Sequence, residues 1–248
     1  MSKTLLLYAI AMIIACGPTN AQINEFDVNK DNQVNTADVV AIYTYIIKGH
    51  NEAPKAYLTC PDNNHPHMID LGLPSGTLWA CCNVGASQPE DYGNYFAWGE
   101  TSGKSIYNAN TYTYYNSYSG FVNIGSDIAG TVYDVARERW GVKWQMPDYT
   151  QIHELVDNVR AYNVTGKWTT SRGVYGIELK GANGGRIFIP ASGSRLDGQI
   201  LSQGSWGYFW SSKYHQGSYS YFVKFSDNRF DWDVDTRSKG YPVRPVAK

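Results

Sequence analysis

The chain of 248 residues carries 21 Lys and Arg residues against 22 Asp and Glu residues, which gives a formal net charge of −1. Because nucleic-acid binders neutralise phosphates with a surplus of basic residues, this balance argues against that class of function. With 43% hydrophobic and 15% aromatic residues, the chain has enough apolar material for a full core, which excludes long disorder. Its 20 tyrosines also suit a surface that holds ligands through flat, amphipathic side chains.

Residues 1–21 are predicted to be a signal peptide. The apolar run 5–15 is too short to span a bilayer but has the length of a signal-peptide core. Two processing patterns are present. A cut after Ala21 follows a small-x-small pattern, whereas the run 13–16 resembles a lipobox with Cys16 as lipid acceptor. Both patterns predict export, either as a secreted protein or as a lipoprotein attached to a membrane only through Cys16.

The segment 22–51 contains a calcium-loop pattern. Oxygen-bearing side chains occupy positions 1, 3, 5, 9 and 12 of a twelve-residue loop, and position 7 can offer its backbone carbonyl. Ca²⁺ needs about six to eight convergent oxygens, which this spacing can provide. Asn32 replaces the usual glycine, and an apolar helix is predicted to follow and to end at Gly49. The predicted ligands are Asp27, Asn29, Asp31, Gln33, Asn35 and Asp38. The alternative is a polar turn with Thr36 as the N-cap of that helix.

With Asp38 at the last loop position and a helix after it, the segment resembles a dockerin repeat, the calcium-binding half-module of cellulosome-type proteins. A full dockerin has two such repeats. The run 231–235 has the pattern D-x-D-x-D, but Pro242 falls at the last position, so we do not interpret it as a second copy. The resemblance implies Ca²⁺ as the cofactor and a cohesin-like partner, and calcium binding is favoured over cohesin docking.

Residues 52–67 are rich in Pro, Asn and His and are predicted to be a linker. Beyond the signal peptide, the cysteines are Cys60, Cys81 and Cys82. Adjacent residues of a strand point to opposite faces, so only one of Cys81 and Cys82 could meet Cys60. One interpretation is a disulfide from Cys60 to either of them. The favoured interpretation is that the cysteines are small buried residues in a core strand. Without C-x-x-C or a His pair at ligand spacing, the pattern predicts no zinc site.

The remaining residues, 68–248, are predicted to form one α+β domain. A first helix is predicted over 131–140, and a second begins after Pro147, where Asp148 and Gln151 have capping-box spacing. The segment 181–185 is typical of a hairpin turn. The predicted buried faces contain Val132, Val135, Ala136 and Trp140 in the first helix, and Ile152, Leu155, Val156 and Val159 in the second. The predicted strands are 176–179, 186–190, 208–211, 219–225 and 230–235.

Six ordered blocks of this domain resemble the major paralogous domain family first named from Fibrobacter. They read IDLGLPSGTLWA at 69–80, NVGA at 83–86, YFAWGE at 95–100, WQMP at 144–147, FIPASG at 188–193 and GYPVRPV at 240–246. The resemblance covers essentially all of residues 68–248. It implies a C-type-lectin-like fold of the formylglycine-generating-enzyme sort, with two helices and short antiparallel strands. It also implies export from a Gram-negative, gut Bacteroides-type bacterium, and the family has no established catalytic activity.

No catalytic arrangement is predicted. The copper-dependent formylglycine-generating enzymes use a late pair of cysteines, and residues 83–248 contain none. A Ser-His-Asp arrangement would need His153 or His215, but there is no G-x-S-x-G motif, and His153 is interpreted as a solvated helix residue. Carboxylate pairs for glycoside hydrolysis could be drawn from Glu90, Asp91, Glu100 and the run 231–235. We therefore expect a non-catalytic protein, with a carbohydrate-active enzyme as the weakest alternative.

The C-terminal hairpin is predicted to carry the ligand-binding face. Alternation places Phe230, Trp232 and Val234 inward, and it places three aspartates on the opposite face as an exposed acidic row with about 6.6–7 Å between neighbours. The structural alternative is a half-buried strand whose charges block edge pairing. The predicted ligand contacts are Tyr214, His215, Tyr219, Asp231, Asp233, Asp235 and Arg237.

The Tyr-rich segment 107–118 is predicted to be a long surface loop, either a carbohydrate-stacking surface or a plain low-complexity loop. Together these features predict an exported, cell-surface, non-catalytic protein that binds a glycan or protein ligand. The alternative is a scaffold or adhesin component assembled through the dockerin-like repeat.

Overall fold

The structure is a computed structural model that describes Cys60 and residues 67–247. The predictions for the signal peptide, the dockerin-like repeat and the calcium loop lie outside the described residues, as does most of the predicted linker. The described part combines two helices with short strands that pair antiparallel throughout, so the predicted α+β class is confirmed. Within it, no helix is long and apolar enough to cross a membrane.

The described strands form two three-stranded sheets, one four-stranded sheet and two small hairpins. The sheet orders are β1-β2-β14-β5, β6-β7-β8 and β11-β12-β13, and the hairpins are β3–β4 and β9–β10. The strands are β1 (Met68–Asp70), β2 (Leu78–Ala80), β3 (Tyr115–Asn116), β4 (Gly120–Phe121), β5 (Trp144–Gln145), β6 (Val164–Ser171), β7 (Val174–Gly181), β8 (Arg186–Pro190), β9 (Ser194–Leu196), β10 (Gln199–Leu201), β11 (Gly207–Gln216), β12 (Tyr219–Ser226), β13 (Arg229–Thr236) and β14 (Val246–Ala247). The helices are α1 (Val135–Trp140) and α2 (Tyr149–Arg160), with a 3-10 turn at Ala109–Thr111.

Helix α2 begins where its capping pattern predicts. The Asp148 carboxylate accepts a hydrogen bond from the Gln151 backbone N–H at 2.9 Å, and the Gln151 side chain accepts one from the Asp148 N–H at 3.0 Å. This reciprocal box satisfies N–H groups that the first helical turn leaves without partners. Ile152, Leu155 and Val156 are buried as predicted, and Val159, the fourth residue of the predicted apolar stripe, is partly buried against the same core.

Helix α1 is shorter than predicted. Its N-cap is Asp134, whose carboxylate accepts hydrogen bonds from the N–H groups of Ala136 and Arg137, so the helix begins at Val135. Val132 precedes the cap and is 68% exposed, so its predicted place in the buried stripe is wrong.

The segment 181–185 forms the predicted turn between β7 and β8. The Gly184 N–H donates to the Gly181 carbonyl at 3.0 Å, and the Gly181 N–H donates to the Gly185 carbonyl at 2.9 Å. A Cβ on Gly185 would lie 1.8 Å from the Asp70 carbonyl oxygen. The turn therefore packs directly against the backbone of β1, which only glycine permits at this position.

Sheet β11-β12-β13 contacts a hydrophobic core on each of its faces. Val223 and Phe225 of β12 belong to a core with α2 and the sheet β6-β7-β8, whereas Phe222 belongs to a second core with α1, β5 and β14. Alternating strand residues point to opposite faces, so β12 contributes to both cores. The continuous apolar character of 221–223 is consistent with this central position.

The Tyr-rich segment is not a plain surface loop. Tyr107 and Tyr112 are buried, and their hydroxyls donate hydrogen bonds to the backbone carbonyls of Tyr95 and Trp98 at 2.6 and 2.7 Å. Because each phenol places its ring in apolar surroundings and satisfies its hydroxyl on the backbone, tyrosine serves here as a core residue. Other residues of the segment do lie at the surface as predicted, among them Tyr118 at 98% exposed.

The three cysteines converge. Cys60 and Cys82 form a disulfide, and the Sγ atoms of Cys81 and Cys82 lie 3.1 Å apart. Strand β2 ends at Ala80 and the chain then bends, so Cys81 and Cys82 do not point to opposite faces of a strand as expected. Cys60 is buried in the core of the domain, and its bond to Cys82 agrees with the disulfide interpretation and not with the favoured one of small buried residues in a core strand.

Candidate functional site

The predicted acidic row is on one face of β13, but it is not an exposed row of unpaired charges. Asp231 Oδ1 lies 2.5 Å from Arg160 Nη2, Asp233 is paired with Lys224, and Asp235 Oδ2 lies 2.8 Å from Lys239 Nζ. All three aspartates are half-buried, because their face of the sheet packs towards the second core. This geometry agrees with the structural alternative of a half-buried strand.

The predicted ligand contact Arg237 is buried, at 1% exposed. Its guanidinium donates hydrogen bonds to the carbonyls of Val122 and Gly217 at 3.0 and 3.2 Å. Four aromatic rings surround it, with centroids 5.1–5.8 Å from the guanidinium carbon. These rings belong to Trp98, Tyr112, Phe121 and Tyr214. Arg237 and Tyr214 therefore serve as packing residues, unlike those predicted ligand contacts that are exposed.

His215 and Tyr219 remain at the surface. His215 Nδ1 lies 2.9 Å from the Tyr221 hydroxyl, and Tyr219 is 42% exposed.

His153 is not the solvated helix residue expected from the sequence. Its ring lies between those of Tyr149 and Trp232, with centroid distances of 3.9 and 4.3 Å. Its Nε2 is buried and has no hydrogen-bond partner among the described residues. Burial lowers the pKa of His153, with Asp157 opposing that shift.

A cleft that the sequence pattern did not predict lies between β6, β7, the loop before β11 and the β12–β13 turn. Its volume is about 380 Å³, within the range of about 300–1,000 Å³ typical of small-molecule sites. The lining residues are Trp168, Tyr175, Gly204, Ser205, Trp206, Ser226, Asp227 and Asn228. Aromatic and hydroxyl or amide groups thus dominate, with Asp227 as the one carboxylate and no basic side chain among them.

Two stacked ring pairs orient the tryptophans of this cleft. The rings of Trp168 and Tyr175 lie 6.3 Å apart with planes 16° from parallel, and those of Trp206 and Tyr208 lie 6.3 Å apart at 14°. Tyr208 is stacked in turn on the buried Tyr241 at 5.0 Å. The tryptophan planes are therefore fixed by neighbouring rings before any ligand arrives.

The loop that carries Trp206 is held by backbone hydrogen bonds. The Gly193 N–H donates to the Trp206 carbonyl and the Gly204 N–H donates to the Ala191 carbonyl, both at 2.8 Å. Gly193 has φ +65°, and a Cβ there would lie 2.3 Å from the Leu201 carbonyl oxygen. This close approach requires glycine and keeps the loop against the β9–β10 hairpin.

Polar groups lie beside these rings. The buried Ser226 hydroxyl is 3.2 Å from the Asn228 side-chain oxygen, while Ser205, Asp227 and Asn228 are exposed. Aromatic faces next to hydroxyl, amide and carboxylate groups form a surface that can accept a ring with one apolar face and a polar edge.

The carboxylates considered for glycoside hydrolysis are held in structural contacts. Glu90 accepts a hydrogen bond from Ser171 at 2.5 Å, and Asp91 accepts one from the Ser87 N–H at 2.9 Å. Glu100 lies 2.8 Å from Lys104 Nζ. The expectation of a non-catalytic protein stays a prediction.

The chain matches no protein-family model, no curated protein and no solved structure. The family resemblance and the lectin-like fold therefore rest on the sequence blocks alone.

Proposed function

We propose that the protein is an exported, non-catalytic binding protein and that its ligand is a glycan held in the cleft at Trp168 and Trp206. The observation that carries the proposal is the pair of pre-oriented stacks, Trp168 on Tyr175 and Trp206 on Tyr208, at one cavity. A pyranose ring has an apolar C–H face and a hydroxyl edge, so it matches aromatic faces flanked by polar groups.

The charge of the cleft favours neutral glycans. Its lining contains Asp227 and no Lys or Arg, so nothing there compensates a sulfate or carboxylate on the ligand. One carboxylate is also too few for a Ca²⁺ ion bound at the cleft together with the sugar, since Ca²⁺ sites gather about six to eight oxygens. We therefore expect glycan binding by the cleft to be independent of Ca²⁺.

The proposal includes export and a C-type-lectin-like fold, both of which are predicted from the sequence. The signal-peptide pattern of residues 1–21 and the six family blocks support them. The calcium loop at 27–38 stays a prediction, as does assembly as a scaffold or adhesin component through the dockerin-like repeat.

A glycan array tests the proposal. The full chain should bind a subset of neutral oligosaccharides, with unchanged signal after chelation of Ca²⁺. Trp206→Ala should reduce binding of those glycans by about tenfold or more, because truncation of an aromatic anchor at the centre of an interface typically costs about 2 kcal/mol or more.

Tyr162→Ala is the matched control, since Tyr162 is 87% exposed and lies outside the cleft lining. It should bind as the wild-type chain does. Equal binding by Trp206→Ala and Tyr162→Ala would rule out the cleft as the glycan site.

A further inference from the structure

Three sulfur atoms meet next to the end of β2, and one imidazole lies beside the sulfur of Cys81. The Sγ atoms of Cys60, Cys81 and Cys82 lie within 4.8 Å of one another, and all three residues are buried. His67 Nδ1 lies 3.5 Å from the Cys81 Sγ. Within the part of the chain that the structure describes, this is the one group of three or more metal-ligating side chains found close together.

Local backbone structure brings these groups together. The bend after Ala80 places the Cys81 and Cys82 sulfurs on the same side, 3.1 Å apart. The Cys81 N–H donates a hydrogen bond to the His67 carbonyl at 3.1 Å, which holds His67 beside Cys81. The cluster is therefore a product of the fold, since the spacing of these residues in the sequence matches no common metal motif.

The charge around the cluster also fits a metal–thiolate centre. Arg244 is fully buried, and its guanidinium donates hydrogen bonds to the carbonyls of Ala80 and Phe188, both at 3.1 Å. A divalent cation with three thiolates and a neutral imidazole carries a net charge of −1, which the guanidinium would balance.

We propose that Cys60, Cys81, Cys82 and His67 form a binding site for a thiophilic divalent cation of the Zn²⁺ class in the thiol form of the protein. Tetrahedral Zn²⁺ takes Cys₃His sets with Zn–S distances of about 2.3 Å, which correspond to sulfur separations of about 3.7 Å. The Cys60–Cys82 bond holds two of the sulfurs closer than this, so the site requires the thiol form, in which side-chain rotation brings the three sulfurs and the His67 ring to that spacing.

The disulfide and the metal are alternatives. Cysteines leave the ribosome as thiols, and each one that binds the metal releases its proton to solvent. Conversion of the metal-bound form to the disulfide removes two electrons from the Cys60 and Cys82 thiolates and releases the cation to solvent. A second disulfide accepts the two electrons by thiol–disulfide exchange and takes two protons from solvent. The same residues would hold the metal before oxidation and the Cys60–Cys82 bond after it.

Co²⁺ titration of the full chain tests this proposal. Every sample carries Cys16→Ala, so that the thiols present are those of the cluster, and is reduced with a phosphine. We expect one Co²⁺ per chain, with sulfur-to-cobalt charge-transfer bands and the strong visible bands of tetrahedral Co²⁺, and stoichiometric displacement by Zn²⁺. The disulfide form should give none of these bands.

Cys81→Ser and His67→Gln should each weaken Co²⁺ binding by at least about tenfold, since loss of even an outer-sphere partner costs about 10–100-fold in metal affinity. Cys81→Ser should also lower the charge-transfer intensity, whereas the exposed His215→Gln should leave the spectrum unchanged. Absence of the bands in reduced protein would overturn the proposal, as would a spectrum that neither Cys81→Ser nor His67→Gln alters. Because Cys81→Ser retains Cys60 and Cys82, its oxidised form can still make the disulfide, and a normal circular dichroism spectrum confirms that it folds.

Discussion

Arg237 shows how a charged residue can serve as a core residue. A buried cation is costly unless polar groups replace its water, and here two backbone carbonyls and four ring faces do so. The alternation of polar and apolar residues does not distinguish a buried arginine from an exposed one, because an arginine near the end of a strand fits the same pattern in both cases. Arg237 was therefore predicted to be a ligand contact, whereas in the structure it is buried.

Arg237→Ala should lower the free energy of unfolding by about 2 kcal/mol, because it removes ring contacts and leaves two buried carbonyls without donors. Chemical denaturation provides the measurement. Arg229→Ala is the control, since the Arg229 side chain is 52% exposed, and it should change stability by less than about 0.5 kcal/mol. Equal effects of the two substitutions would contradict the packing role of Arg237.

His153 should make stability depend on pH. Its pKa in the folded protein is lowered below 6.5 chiefly by burial, so the unfolded chain binds the proton more readily. This contribution is fully present above about pH 6.5, the unfolded value. It is lost as the pH falls through the folded pKa.

His153→Phe retains the ring stack and removes the titration, so its stability should fall less than that of the wild type between neutral and mildly acidic pH. Thermal unfolding across that range gives the comparison, with the exposed His215→Phe as control. Parallel pH profiles for wild type and His153→Phe would contradict the assignment.

Among the elements, α2 was predicted well because its start is encoded locally. Pro147, Asp148 and Gln151 fix the first turn within a few residues of sequence. The shorter α1 depends on Asp134, whose carboxylate also accepts hydrogen bonds from the Met146 N–H of the segment after β5. That contact crosses 12 positions of the chain, so the apolar period alone placed the helix start too early.

Asp148→Ala should destabilise the protein by about 1 kcal/mol, the typical cost of losing an N-cap side chain. Urea unfolding is the appropriate measurement. Thr150→Ala changes an exposed position in the first turn of the same helix and should have a much smaller effect. If both variants lose the same stability, the capping box does not stabilise α2 as described.

At the scale of the whole molecule, the cleft and the cysteine cluster are each formed by residues that lie far apart in the sequence. The cleft joins Trp168 and Tyr175 with Trp206 and with the 226–228 turn. Parts of β7 and β11 were predicted as the strands 176–179 and 208–211, but β6 was missed because five of its eight residues are polar and four are exposed. Pairing with β7 stabilises β6 as a strand, and the residue pattern of β6 alone does not predict that pairing.

The most direct test of the central claim is the indole N–H spectrum of the ¹⁵N-labelled chain, titrated with an oligosaccharide selected on the array. The chain has eight tryptophans, and Trp168→Phe and Trp206→Phe identify the two signals of the cleft. We predict that these two signals shift on titration, whereas those of the fully buried Trp79, Trp98 and Trp210 stay in place. Shifts confined to Trp232 on β13, with the signals of Trp168 and Trp206 unmoved, would contradict glycan binding in the cleft.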